Sequence, residues 1–179
     1  TGTYLETAAH SIAGRETIEQ VPLERVWMVP TVVIHTPKGE GEKVTLDEAK
    51  RALDADGLTI EAGDAVLIHT GWGTLWNVDN ARYVKSCPGI GIAAAEWLAR
   101  QDPLLIGADN WPVEVGPNPD PDLSLPVHQV LLVVHGIHTL ENMKLDVLAA
   151  ARLQEFAFVV QPLKIKGGTG STVAPIAIR

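Results

Sequence analysis

The chain is almost without cysteine: Cys87 is the only one in 179 residues. A lone thiol excludes an intrachain disulfide and is compatible with a reducing compartment. Cys87 precedes Pro88-Gly89 with no histidine near it in sequence, so it reads as an inert thiol rather than an activated nucleophile. Basic charge is also scarce, with 14 Lys and Arg against 22 Asp and Glu and a formal net charge of -8. No basic run exceeds Lys50-Arg51. This argues against nucleic acid, which needs a basic patch to displace counterions, and against anionic membrane surfaces. Long apolar runs are missing: none approaches the roughly 20 residues that span a bilayer. The opening Thr1-Gly2-Thr3-Tyr4 has no basic start followed by an apolar core, so no signal peptide is read and the expected location is cytoplasmic. Repeats, low-complexity tracts and long linkers are absent too, which leaves one domain over residues 1–179. Neither the Gly-x-Ser-x-Gly elbow of serine hydrolases nor a phosphate-loop spacing occurs, and the glycines near Thr169 read only as a flexible loop.

What is present is an ordinary globular balance, 46% hydrophobic and 20% charged. Strands are expected at 31–35, 65–70, 104–108, 137–141, 156–160 and 173–178, since each is a short apolar or β-branched run bounded by turn residues. Helices are expected over Leu46–Leu53, capped by Thr45 or Asp47, over Ile92–Arg100, and from near Pro126. The prolines at 117, 119, 121 and 126 make a rigid loop between them. Alternating strands and helices predict an α/β fold with a mixed, partly parallel sheet.

Polar residues gather at four places in this pattern. Tyr4, Glu6 and His10 share one side of the opening segment if it is extended, because side chains alternate with period 2. Carboxylate and imidazole suit zinc, manganese or iron, although a surface Glu and His at this spacing are common. His128 lies on an apolar helix and Glu141 follows it; alone, they read as a satisfied core histidine, which is commoner on such a helix than a ligand, and as a helix-start acid. Within Gly107-Ala108-Asp109-Asn110-Trp111-Pro112-Val113-Glu114, Asp109 is either an orienting acid or a turn former. Around His69-Thr70-Gly71-Trp72-Gly73-Thr74-Leu75-Trp76, glycines beside Trp72 and Trp76 suit an aromatic-walled pocket or a satellite core. His35, His135 and His138 read as structural.

In order along the chain, these segments resemble the cyclase family, which includes bacterial kynurenine formamidase and isatin hydrolase. The family's opening motif, His-x-Gly-Thr-His-x-Asp-x-x-x-His, is similar to Gly2-Thr3-Tyr4-Leu5-Glu6-Thr7-Ala8-Ala9-His10 in its latter part. Val66 to Trp72, Pro88-Gly89 with Trp97-Leu98, Ile106-Gly107-Ala108-Asp109, His128, Leu140-Glu141-Asn142 and the Pro162 to Ser171 segment match in turn. The resemblance implies a swivelling β/β/α-type domain, here without the N-terminal segment of relatives. It implies a hydrolase that cleaves a C–N or C–O bond of a small formamide, cyclic amide or lactone with a divalent metal, zinc or manganese. Glu6, His128 and Glu141 would hold the metal and His10 would act as general acid and base. By side-chain type, Trp72, Trp76 and Trp111, with Tyr4 and Asp109, would line the substrate pocket, and the protein would form a homo-oligomer. The chain departs from the motif where Tyr4 replaces a histidine, Glu6 replaces an aspartate, and the first histidine lies ahead of Thr1. Those departures point to a single-metal site, or else to a metal-free relative that binds rather than cleaves.

Overall fold

The computed structural model of the protein describes residues 2–179. In chain order the elements are β1 (Tyr4–Glu6), β2 (Val29–His35), β3 (Lys43–Val44), α1 (Leu46–Asp56), β4 (Ala65–His69) and α2 (Asn80–Lys85). They continue with β5 (Gly89–Ile90), α3 (Ile92–Ala99), β6 (Leu105–Ala108), α4 (Pro126–His128), β7 (His138–Glu141), α5 (Asp146–Ala150), β8 (Glu155–Val159), β9 (Gly170–Thr172) and β10 (Ile176–Ile178). Eight strands form one sheet in the order β10-β8-β2-β4-β6-β7-β1-β9, with β3 and β5 paired apart from it. The neighbours β2-β4-β6-β7 are parallel and the outer pairs antiparallel, which is the mixed α/β sheet that the sequence predicts.

The central strands are buried along both faces, as a parallel sheet covered on two sides requires. Val32, Ile34, Val66, Ile68 and Ile106 face one core with Ala49 and Leu53 of α1, Ala94 and Leu98 of α3, and Leu131. The alternate residues Val33, Ala65, Leu67, Leu105 and Leu140 face a second core beneath Ile18, Val26, Met143 and Phe158. Of the two candidate caps for α1 it is Thr45 that serves, closing a reciprocal box with Glu48; the helix ends at Gly57 in the left-handed region (φ 67°).

Three local expectations are revised. Gly170, read as part of a loop, opens the edge strand β9 along β1, because it lets the backbones approach: a Cβ there would lie 2.7 Å from the Leu5 carbonyl oxygen. The last strand is correspondingly short. The opening segment is extended only from Tyr4 to Glu6, after which a 3₁₀ turn over Ala8–His10 folds the chain back. The helix begun at Pro126 runs on as a π-helix from Gln129 to His135. No helix among the described residues is long and apolar enough to cross a membrane.

The segments 87–91 and 113–116 lie against each other through Cys87 N–H to the Gly116 carbonyl (2.6 Å) and Ile90 N–H to the Val113 carbonyl (3.1 Å). Gly89 makes this approach possible, since any side chain there would collide with the backbone of Glu114. Gly89→Ala is therefore expected to lower unfolding free energy by about 1–3 kcal/mol, the usual cost of overpacking, measured by urea denaturation. Gly39→Ala, which meets only the flexible Glu42 side chain, should leave the midpoint nearly unchanged.

Candidate metal centre

β1 lies beside β7 in antiparallel register, with Tyr4 opposite Glu141 and Glu6 opposite Thr139. Period-2 alternation then turns all four side chains to the same face of the sheet. α4 places His128 over that face. Its start is set by Leu125 in the left-handed region (φ 46°) and by Pro126 at the first helical position. The π-helix that follows is of a kind often found at functional sites.

Glu6, His128 and Glu141 are all buried, and one ligand atom from each lies within 4.8 Å of the others. His128 Nε2 faces Glu141 Oε1 at 3.1 Å and Glu6 Oε2 at 3.6 Å. Glu6 Oε2 also accepts from Thr139 Oγ1 (3.1 Å), and the Tyr4 hydroxyl donates to Glu141 Oε2. Behind His128, its Nδ1 lies 2.7 Å from Glu114 Oε1, and Glu114 also accepts the backbone N–H of His128 (3.0 Å) and of Val127 (3.2 Å). A carboxylate accepting at Nδ1 fixes that tautomer and turns Nε2 towards Glu6 and Glu141. It also satisfies donors that the start of the helix leaves open.

Charge decides the behaviour of this cluster. Burial pulls the His128 pKa down, but hydrogen bonds to Glu114, Glu141 and Glu6 outweigh it and raise it to about 11. Burial pushes the Glu141 carboxyl up, against the opposing pull of His128 and Tyr4. Burial and the neighbouring Glu141 hold the Tyr4 phenol far above its usual range, so it stays protonated as a donor. One imidazole nitrogen and two carboxylate oxygens suit zinc, manganese or iron. Three protein ligands with a further position left open are the pattern of catalytic zinc sites. The donor set fits a single divalent ion, and Tyr4, committed to Glu141, does not extend it.

His10 comes back to this centre through the 3₁₀ turn. Its Nδ1 lies 3.4 Å from Glu6 Oε1, its ring centroid 6.5 Å from that of His128, and its side chain is 43% exposed. Tyr4, Trp76 and Trp111 line a cleft of about 470 Å³ together with Asn80, Val84 and Asn142. Tyr4 thus joins the cleft to the cluster.

Trp72 and Asp109 do not line this cleft, because both turn inward. The Trp72 indole is buried and donates to the Tyr83 carbonyl (3.2 Å). Asp109 accepts from Thr70 N–H (2.9 Å), Thr70 Oγ1 (2.6 Å), Gly71 N–H (2.8 Å) and Gly73 N–H (3.4 Å), and so fixes the turn that carries the two tryptophans. His35 and His69 are paired, Nδ1 to Nδ1, at 2.6 Å. His138 is buried 3.7 Å from Glu16 Oε2. Burial pushes the Cys87 thiol up to about 12, in keeping with an inert group. Glu114 and Thr139 are the site residues that sequence reasoning leaves without a role. The one available signal for Glu114 is an acid flanked by Val113 and Val115, since an unpaired acid is rarely buried.

The chain is similar to known proteins in family and in fold. The family model described as Cyclase matches residues 1–115, which include Glu6, His10 and Glu114. No curated protein matches the chain. Isatin hydrolase A from Ralstonia solanacearum superposes with a TM-score of 0.83 at 26% identity, over 100% of this chain and 72% of that one. An isatin hydrolase bound to the product analogue thioisatinate gives 0.80 at 24% identity, over 97% and 70%. A structure described as a predicted metal-dependent hydrolase from Bacillus stearothermophilus gives 0.69 at 22%, over 98% and 75%. These structural likenesses extend through the part of the fold that carries His128 and Glu141. A family model covering residues 1–115, well over half of the 179, places this chain in the Cyclase family.

Proposed function

We propose that the protein is a hydrolase that cleaves a C–N or C–O bond of a small formamide, cyclic amide or lactone, using one zinc or manganese ion held by Glu6, His128 and Glu141. The observation that carries this reading is the buried convergence of those three donors, with acidic groups outnumbering the single imidazole. Two buried carboxylates on one imidazole leave negative charge that a low-dielectric interior tolerates poorly. Such an ion, when bound, acts as a Lewis acid on the scissile carbonyl and lowers the pKa of water towards neutrality.

The remaining roles belong to the chain. Glu114 holds the His128 ring so that Nε2 stays turned to the centre. Thr139 and Tyr4 hold one oxygen each of Glu6 and Glu141. His10, half-exposed at the edge of the centre and anchored on Glu6, passes a proton to the departing nitrogen or oxygen. Trp76 and Trp111 supply the walls of a cleft within the volume range usual for small ligands. The relatives described as isatin hydrolases support a flat cyclic substrate.

One observation favours a second reading, a metal-free relative that binds without cleaving. The Tyr4 hydroxyl and a protonated His128 already give Glu141 two hydrogen-bond partners. Elemental analysis of protein purified without chelators separates the two: about one zinc or manganese per chain, largely lost in Glu141→Gln, is expected on the hydrolase reading. Absence of metal together with no turnover of formanilide, phthalimide or dihydrocoumarin would establish the second. Glu114→Gln is expected to weaken metal affinity about 10- to 100-fold in a competition titration, the usual cost of losing such a supporting carboxylate. His10→Ala should keep the metal but reduce kcat by about 100- to 10,000-fold.

A further inference from the structure

The geometry points to Asn142 as a residue that selects carbonyl-bearing ligands: its amide Nδ2 is a donor that the aromatic cleft offers to an acceptor oxygen. Asn142 follows Glu141 directly and has a left-handed backbone (φ 54°), a conformation that asparagine tolerates better than other non-glycine residues. Its backbone is fixed on both sides, N–H to the Asn110 carbonyl (2.8 Å) and carbonyl from Thr3 Oγ1 (2.7 Å). The Tyr83 hydroxyl lies 3.2 Å from the Asp109 carbonyl and nearer, at 2.9 Å, to the Asn142 Oδ1 that accepts from it, which leaves the amide nitrogen as the free end.

Among the cleft's polar side chains, Asn142 Nδ2 and the Trp76 indole N–H are the donors left open. The Tyr4 hydroxyl is committed to Glu141, and Asn80 Nδ2 donates to the Trp76 carbonyl (3.2 Å). Trp111 Nε1 has no partner but is sealed from solvent, so no ligand reaches it without moving the ring. Asn142 Nδ2 has no partner among the described residues and is not among the sealed atoms. Asn142 also borders a second, smaller cleft of about 250 Å³ with Gly73, Trp76 and Met143, so it stands where the two meet. An unpaired donor in a mostly apolar cleft favours ligands that fill it and penalises those that cannot.

The inference rests on the hydrolase reading only in calling the selected ligand a substrate; the selection itself is a binding property. The test therefore uses a matched pair that cannot be hydrolysed, 1-indanone with a carbonyl and indane without one, titrated onto the protein by ligand-observed NMR. Wild type is expected to favour 1-indanone about three- to tenfold, the worth of one net hydrogen bond. Asn142→Asp keeps the acceptor for Tyr83 but replaces the donor with a carboxylate oxygen, so the preference should vanish or reverse. Asn142→Gly accepts the left-handed backbone and removes the amide, so the preference should fall towards unity without reversing. Circular dichroism and melting temperature establish that both variants fold. An unchanged preference in Asn142→Asp would mean that the residue serves only to hold Tyr83, and overturns the inference, as does a wild type that binds neither compound or both equally. Missing metal or turnover would instead count against the hydrolase reading and leave this binding preference standing.

Discussion

Glu6, Glu114 and Glu141 surround a single imidazole in a volume from which water is largely excluded, and their charge has to be balanced locally. Removing one partner from such a cluster would leave an uncompensated buried charge, which typically costs about 3–5 kcal/mol. Much of the surrounding structure meets that demand. Glu114 is held by two backbone N–H groups at the start of α4, Glu6 by Thr139, and Glu141 by Tyr4. Left-handed residues adjoin two of the acids, Val113 before Glu114 and Asn142 after Glu141. For a β-branched residue such as Val113 that conformation is an outlier, and strain of this kind persists where the surrounding packing over-determines it.

The parts of this arrangement legible in the sequence are those that depend on local pattern. Apolar runs such as Ala65–Ile68 announce the central strands, and a capping residue at Thr45 or Asp47 announces the start of α1. Glu6, His128 and Glu141 are legible only through the order of motifs, since no spacing rule connects positions so far apart in sequence. Their convergence arises from the pairing of β1 with β7, which periodicity cannot foresee. Glu114 escapes for the same reason: its partners come from a helix that starts on the far side of a proline-rich loop. Trp72 and Asp109 mislead because residue type suggests a pocket, whereas direction decides it. Asp109 finds donors on the adjacent turn and Trp72 finds a carbonyl, so both are satisfied inside.

Tyr4 shows how one substitution changes a site's logic without removing it. A histidine there would offer a lone pair to a second ion, while a protonated phenol offers a hydrogen instead. The donor is spent on Glu141, the carboxylate that also faces His128, so one group has become a brace for another. At the same time its ring forms a wall of the cleft, and the identity of the centre and the shape of the binding space are coupled through one side chain.

The insertion of β1 between β7 and β9 has a consequence for how the protein comes into being. Tyr4 and Glu141 are 137 positions apart, and β9 closes the other side of β1 only at residues 170–172. Pairings of such long range form late in folding, after the loop-closure entropy between them has been overcome. During synthesis Glu6 has no Glu141 to meet until the chain between them has been made. The convergence of Glu6, His128 and Glu141 thus depends on a long-range pairing and cannot be formed by the opening segment alone.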